Sequence, residues 1–226
     1  MGNICSNHAD QVQHQDINVA EFISVCIFLS EECGKVIRQV EESGVLKTMS
    51  KDDKSPVTIA DITVQKTIEE CLNTLYPSLN IQGEESKEST DTVDAAITAD
   101  AITKARKKLI TSKFLNIHHT GRMDFIEDQL RKTYTEDEIS SSHFTTFNTK
   151  DAVVWIDPLD GTSDFIKGTL SAVTVLIGLS IKDKSRIGIV HNPYCAEDET
   201  VSKTIFGTGE AGAFKLLYNK DMTEQE

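Results

Sequence analysis

The run Val153-Val154-Trp155-Ile156 passes directly into Asp157-Pro158-Leu159-Asp160-Gly161-Thr162, so four large apolar residues stop in two acids, a proline, a glycine and a hydroxyl. Such a run reads as a buried strand, with Pro158 and Gly161 ending it. Asp157 and Asp160 then sit at the strand's exit, where a tight turn can aim both carboxylates into one hole. Two close carboxylates repel, so one holds a proton or a cation lies between them. A hard cation such as Mg²⁺ takes oxygen ligands of this kind and commonly completes its shell with water and substrate phosphate. Taken alone, a D-x-x-D is also compatible with a plain turn whose acids cap backbone amides.

Upstream, apolar residues recur from Val19 to Val40 at helical spacing, including Phe22, Ile23, Cys26, Ile27, Cys33, Val36 and Ile37. This pattern predicts a helix with one broad buried stripe, closed by Gly44. Ser55 to Asp61 leads into a second amphipathic helix through Val64, Ile68, Cys71, Leu72 and Leu75. Asp61 falls in its first turn, where a carboxylate is favoured by the helix dipole and by free amides. Leu79 to Gly83 is a short strand ending at Glu84 and Glu85. Helical pieces follow at Ala95 to Leu115 and Met123 to Tyr134, and the basic residues of the first, from Lys104 to Lys113, read as a solvated face. Segments Ala172 to Ile181, Arg186 to Tyr194 and Thr204 to Leu217 read as successive sheet strands. Gly207, Gly209 and Gly212 form a G-x-G-x-x-G string without a following helix, which reads as a β turn and not a dinucleotide loop. His191 reads as a hydrogen-bonded residue at a strand end.

With 226 residues and 38% hydrophobic content the chain can bury a core. A formal charge of −13 argues against a nucleic-acid partner and against simple attraction to anionic lipid. Cys5, Cys26, Cys33, Cys71 and Cys195 show no C-x-x-C pair, which suggests a reduced, cytoplasmic protein, with Cys26, Cys33 and Cys71 in packing roles. No apolar run approaches a membrane span and no signal peptide precedes the first helix. The opening Met1-Gly2-Asn3-Ile4-Cys5-Ser6 fits the myristoylation pattern at Gly2, and a second acyl chain on Cys5 would be needed for firm anchoring. The same stretch is equally a flexible tail. The expected organisation is a tail over 1–17, one domain over 18–217 with an insertion at about 86–150, and a polar tail over 218–226.

Trp155 to Thr162, Thr58-Ile59-Ala60-Asp61 and Gly83-Glu84-Glu85 together resemble the acidic signature of the inositol monophosphatase superfamily, the lithium-sensitive, Mg²⁺-dependent phosphomonoesterases. The resemblance implies an α+β layered sandwich with two helices packed on a mostly antiparallel sheet. Within the superfamily, Ile189 to Tyr194 and Thr204 to Phe214 are most similar to the 3'(2'),5'-bisphosphate nucleotidase branch. The insertion and the Phe165-Ile166-Lys167-Gly168 segment are closer to the inositol polyphosphate 1-phosphatases, whereas Gly161 favours the nucleotidases.

By resemblance, Glu84, Asp157 and the carbonyl of Leu159 hold one Mg²⁺, and Asp157 and Asp160 share a second. Asp61 and Thr162 take the proton of the attacking water, while the N–H groups of Gly161 and Thr162 receive phosphate oxygens. The implied reaction converts adenosine 3',5'-bisphosphate to AMP, with an inositol polyphosphate as the alternative small-molecule phosphate ester. The family continues into a C-terminal α/β domain with a W-D-x-x-A element whose acid completes the second metal site. Trp155 is the single tryptophan here, so this element is expected to be absent, and a catalytically impaired metal-binding regulatory protein is a further reading.

Overall fold

The computed structural model describes residues 13–44, 49–50, 56–86, 95–110, 120–133, 145–195, 201–209 and 212–219. Gly2 and Cys5, and with them the lipidation expectation, lie outside these residues. In chain order the elements are β1 (Asp16–Asn18), α1 (Val19–Ser43), β2 (Met49–Ser50), β3 (Pro56–Val57), α2 (Ile59–Leu75), β4 (Asn80–Gly83), α3 (Ala95–Ile110) and α4 (Thr120–Thr133). They continue with β5 (Thr146–Asn148), β6 (Ala152–Asp160), α5 (Thr162–Lys167), β7 (Thr174–Ile181), β8 (Lys184–Asn192), β9 (Val201–Thr208) and β10 (Gly212–Asn219).

Local chemistry sets the two long helices. Asn18 caps α1 by accepting the Glu21 amide at 2.9 Å. Gly44, at φ 66°, closes it and donates to the Glu41 carbonyl at 3.0 Å. At the start of α2, Thr58 and Asp61 form a capping box: the Thr58 hydroxyl accepts from Ala60 N–H, and the Thr58 amide donates to the Asp61 carboxylate at 2.8 Å. The site's first acid is therefore also the residue that starts the helix.

The main sheet has six strands in the order β10-β9-β8-β7-β6-β4. All neighbours are antiparallel except β4, which runs parallel to β6 with Gly83 opposite Ile156. Helix α1 lies on β7 and β8, and α2 on β6, so both cover the same face; α3 backs α2 and α4 backs α1. Phe22, Ile23, Ile27, Leu29 and Ile37 from α1 are fully buried, and so are Ile62, Ile68 and Leu72 from α2. Phe22 meets the Phe147 ring edge-on at 5.4 Å, which ties β5 to the core. The α+β sandwich of two helices on a mostly antiparallel sheet is borne out. Cys26, Cys33 and Cys71 are fully buried, as expected of packing residues, and Gly207 and Gly212 lie in the antiparallel pair β9-β10.

Three expectations need correction. The apolar run of β6 is not buried throughout: Val154 and Ile156 face the helices, whereas Trp155 is 55% exposed on the other face. A strand in a one-sided sheet alternates, and four apolar residues in a row place every second one in the open. Pro158 does not end β6; the strand runs to Asp160, with its pairing to β7 irregular between Asp157 and Asp160. Proline has no N–H to give the ladder, so the strand bulges there and resumes at Asp160 opposite Thr174. Residues 16 and 17, expected in the tail, pair as β1 with β5, whose residues were expected in the insertion.

Candidate active site

Asp157 keeps the outward alternation of β6; the alternation breaks at Pro158 and Leu159, both buried, and the bulge leaves Asp160 exposed as well at the strand's exit. β4 delivers Glu84 beside them: its amide donates to the Ile156 carbonyl at 2.9 Å, one residue beyond the parallel ladder. The Glu84 and Asp157 carboxyls make a hydrogen-bonded contact, which two ionised groups cannot do. Burial, then the Glu84 hydrogen bond and charge, then the charge of Asp160 push the Asp157 carboxyl up to about 7, against a partial counter-effect from the Leu159 amide. Its Oδ1 is buried with no hydrogen-bond partner among the described residues. Asp160 turns instead to the Thr174 hydroxyl, which donates to it at 3.3 Å. Among the described residues no group of three or more His, Cys, Asp or Glu side chains is arranged to hold a metal ion. Glu84 and Asp157 are thus brought together, and Asp160 stands within electrostatic reach.

The second half of the site joins α2 to the turn after β6. Gly161 takes φ 88°, a left-handed conformation open to glycine, and a Cβ there would lie 3.1 Å from the Ala172 carbonyl oxygen. The turn starts the short α5 and lifts Thr162 over α2. The Thr162 hydroxyl lies 3.0 Å from Asp61 Oδ1 and 3.0 Å from the Leu159 carbonyl oxygen, and its single proton serves one acceptor at a time. The other Asp61 oxygen accepts the Thr58 hydroxyl at 2.5 Å and the Thr58 amide at 2.8 Å. Asp61 is 1% exposed; burial raises its carboxyl above the usual range, and the Thr58 and Thr162 hydrogen bonds pull it part of the way back.

The sequence-predicted residues therefore form two abutting groups: Glu84, Asp157 and Asp160 at the ends of β4 and β6, and Asp61, Leu159, Gly161 and Thr162 below the β6-α5 turn. Sequence reasoning missed Gln65, one turn after Asp61 on α2. Its side chain is buried and hydrogen-bonds both the amide and the carbonyl of Glu85. Asp61, Gln65 and Glu69 recur at i, i+4 and i+8, a polar row along α2 that reads as ordinary helix surface until the segment it faces is known. His191 stays outside the site, fully buried with Nδ1 2.8 Å from the Thr204 hydroxyl, as expected of a strand-end histidine.

Residues 122–215 match the inositol monophosphatase family. The 3'(2'),5'-bisphosphate nucleotidase 1 of Dictyostelium discoideum is 30% identical over 190 residues, an alignment covering 83% of this chain and 52% of that protein. Residues 122–215 carry an inositol monophosphatase family domain. The human 3'(2'),5'-bisphosphate nucleotidase 1 is 28% identical over 191 residues, covering 82% of this chain and 52% of its own length. The fold is shared with the extragenic suppressor protein suhB from Bartonella henselae, at TM-score 0.51 and 18% identity over 86% of this chain and 51% of that one. The chain thus spans about half the length of the curated relatives it matches.

Proposed function

We propose that the chain belongs to a Mg²⁺-dependent phosphomonoesterase that removes the 3'-phosphate of adenosine 3',5'-bisphosphate. The observation that carries the reading is the carboxyl pair Glu84 and Asp157, with Asp157 Oδ1 buried and unpartnered among the described residues at the strand exit. The donor set is all oxygen and acidic, which fits a hard divalent cation. Glu84, Asp157 and the Leu159 carbonyl would hold one ion, and Asp157 with Asp160 a second. Bound there, Mg²⁺ supplies charge neutralisation at the phosphate and a lowered pKa for water.

The remaining steps belong to the protein's own groups. Thr162 Oγ1 accepts the proton of the attacking water as its own proton passes to Asp61 Oδ1, along the 3.0 Å hydrogen bond already in place. Asp61 suits this role because burial makes it a stronger base than an exposed carboxylate. The two Thr58 hydrogen bonds hold its other oxygen and stop the carboxylate from rotating away. The N–H groups of Gly161 and Thr162 take the phosphate oxygens. The names of the relatives support a nucleoside bisphosphate as substrate.

Phosphate release from adenosine 3',5'-bisphosphate and from an inositol polyphosphate, each with and without Mg²⁺, tests the reading. Mg²⁺-dependent release from the nucleotide that Asp157→Asn abolishes is the expected result. Release from the inositol ester alone transfers the assignment to the inositol branch. A folded chain that releases phosphate from neither is not an enzyme by itself.

A further inference from the structure

The segment that delivers Glu84 is weakly held by its own strand. β4 has four residues and, among the described residues, lies at the sheet edge and pairs with β6 alone. Beyond it the Glu84 amide makes one further bond to β6. An edge strand this short, opening into a loop, frays readily unless another element pins it.

Gln65 supplies the pin. Its Oε1 accepts the Glu85 amide at 2.8 Å, and its Nε2 donates to the Glu85 carbonyl at 2.9 Å and to Glu69 Oε1 at 3.0 Å. All three bonds fix the same orientation of the amide; a flip would set oxygen against two acceptors and nitrogen against an N–H. The clamp also needs Gly83, because a Cβ there would lie 2.2 Å from Gln65 Cδ. Gln65 is 2% exposed, so these bonds are shielded from competing water. Asp61, Gln65 and Glu69 follow at i, i+4 and i+8 along one face of α2. One helix face thereby binds the Thr162 hydroxyl at its first turn and the Glu85 backbone at its second.

We propose that Gln65 is a positioning residue for divalent-cation binding: by clamping both backbone polar groups of Glu85 against Gly83, it sets the Glu84 carboxyl at Asp157. The assignment rests on the metal reading of the preceding subsection. Gln65 touches neither substrate nor cation and acts through Glu84.

Two variants and two measurements test it. Gln65→Met keeps the volume and removes the clamp; Gly83→Ala leaves α2 intact and displaces the Gln65 amide from the other side. Hydrogen exchange over 83–86 reads the clamp without any metal, and Mn²⁺ titration by electron paramagnetic resonance reads the cation site without turnover. Both variants are expected to exchange about tenfold faster over 83–86, the loss of one or two hydrogen bonds. Both are expected to bind Mn²⁺ about tenfold or more weakly, as when an outer-shell partner of a metal ligand is removed. Unchanged exchange in the variants overturns the clamp, and faster exchange with unchanged Mn²⁺ affinity overturns its role in placing Glu84. Mn²⁺ that fails to bind the wild-type chain overturns the metal reading and this inference with it, a result visible before any variant is made.

Discussion

Thr162 Oγ1 stands 3.0 Å from Asp61 Oδ1 across 101 residues of sequence, and this contact locks the first turn of α2 to the turn after β6. Removing the hydroxyl should separate its chemistry from its packing. Thr162→Val keeps the shape, loses the proton path, and leaves a buried carboxylate with one partner fewer. Phosphate release should fall by about 10²-fold or more, the usual worth of a positioned acid–base group. Thr162→Ser should stay within about tenfold of wild type, since it keeps the hydroxyl. A valine variant as active as wild type would remove Thr162 from the mechanism.

Much of this site was legible in the sequence because its parts are local. Asp61 and Thr58 lie three residues apart and satisfy a helix start; Asp157, Asp160 and Gly161 occupy one strand exit. Even the helix pair was readable, since the apolar stripes of α1 and α2 have the helical period. What was not legible depends on which face of the sheet is covered. Trp155 sits in an apolar run indistinguishable from a buried strand, yet it is exposed, with its indole N–H donating to Ser180 at 3.0 Å. The pairing of β1 with β5 joins residues about 130 apart and leaves no periodic trace, as the register Asp16 to Asn148 shows. Gln65 escaped for a related reason: a glutamine inside a helix is ordinary until the loop it clamps is known.

Gly161 carries a conformational demand that no other residue meets as well. At φ 88°, alanine would enter a left-handed conformation and press its Cβ to 3.1 Å from the Ala172 carbonyl oxygen. The combined cost should be about 1–3 kcal/mol. Because Thr162 is the next residue, the same strain should tilt its hydroxyl from Asp61. Gly161→Ala should therefore lower the urea midpoint and abolish most phosphate release. A variant with wild-type stability would show that the turn can relax without glycine.

Gly34 poses the opposite question, since glycine in the middle of α1 should be a weakness. Alanine ordinarily stabilises such a position by about 1 kcal/mol. Here a Cβ would lie 2.3 Å from His191 Nε2 and 2.8 Å from its Cδ2, in a fully buried site. Overpacking of this kind costs about 1–3 kcal/mol, so the overlap outweighs the propensity gain. Gly34→Ala should lower stability in urea denaturation, and an increase would mean that His191 moves freely. The double variant Gly34→Ala with His191→Ser should recover part of the loss, because the smaller side chain clears the Cβ while keeping a hydroxyl near Thr204.

His191 and Asp157 should oppose one another in acid. Burial, helped by the charges of Arg38 and Lys35, lowers the His191 imidazole to about 3, so the folded chain keeps it neutral. The unfolded histidine, with its ordinary value near 6.5, takes up a proton as pH falls, and that part of the stability is present above about 6.5 and lost towards 3. Asp157 has the other sign: its carboxyl is raised to about 7 in the metal-free fold, so its contribution is present below about 4 and lost as pH rises through 7. Between about pH 4.5 and 6.5 the folded chain carries a proton on Asp157 while the unfolded chain carries one on His191, and the two contributions largely cancel. Asp157→Asn removes one side of the balance. With EDTA present, the variant should lose stability on acidification from pH 6.5 to 5 more steeply than wild type. The difference should stay below the about 1.4 kcal/mol per pH unit of one full proton, because Asp157 is only half-buried. Urea midpoints at pH 5, 6 and 7 for both chains give the comparison, and parallel slopes would show that Asp157 carries no extra proton. Saturating Mg²⁺ should reverse the wild-type trend near pH 7, because a cation bound at Glu84 and Asp157 displaces the Asp157 proton and stabilises the Asp157 carboxylate.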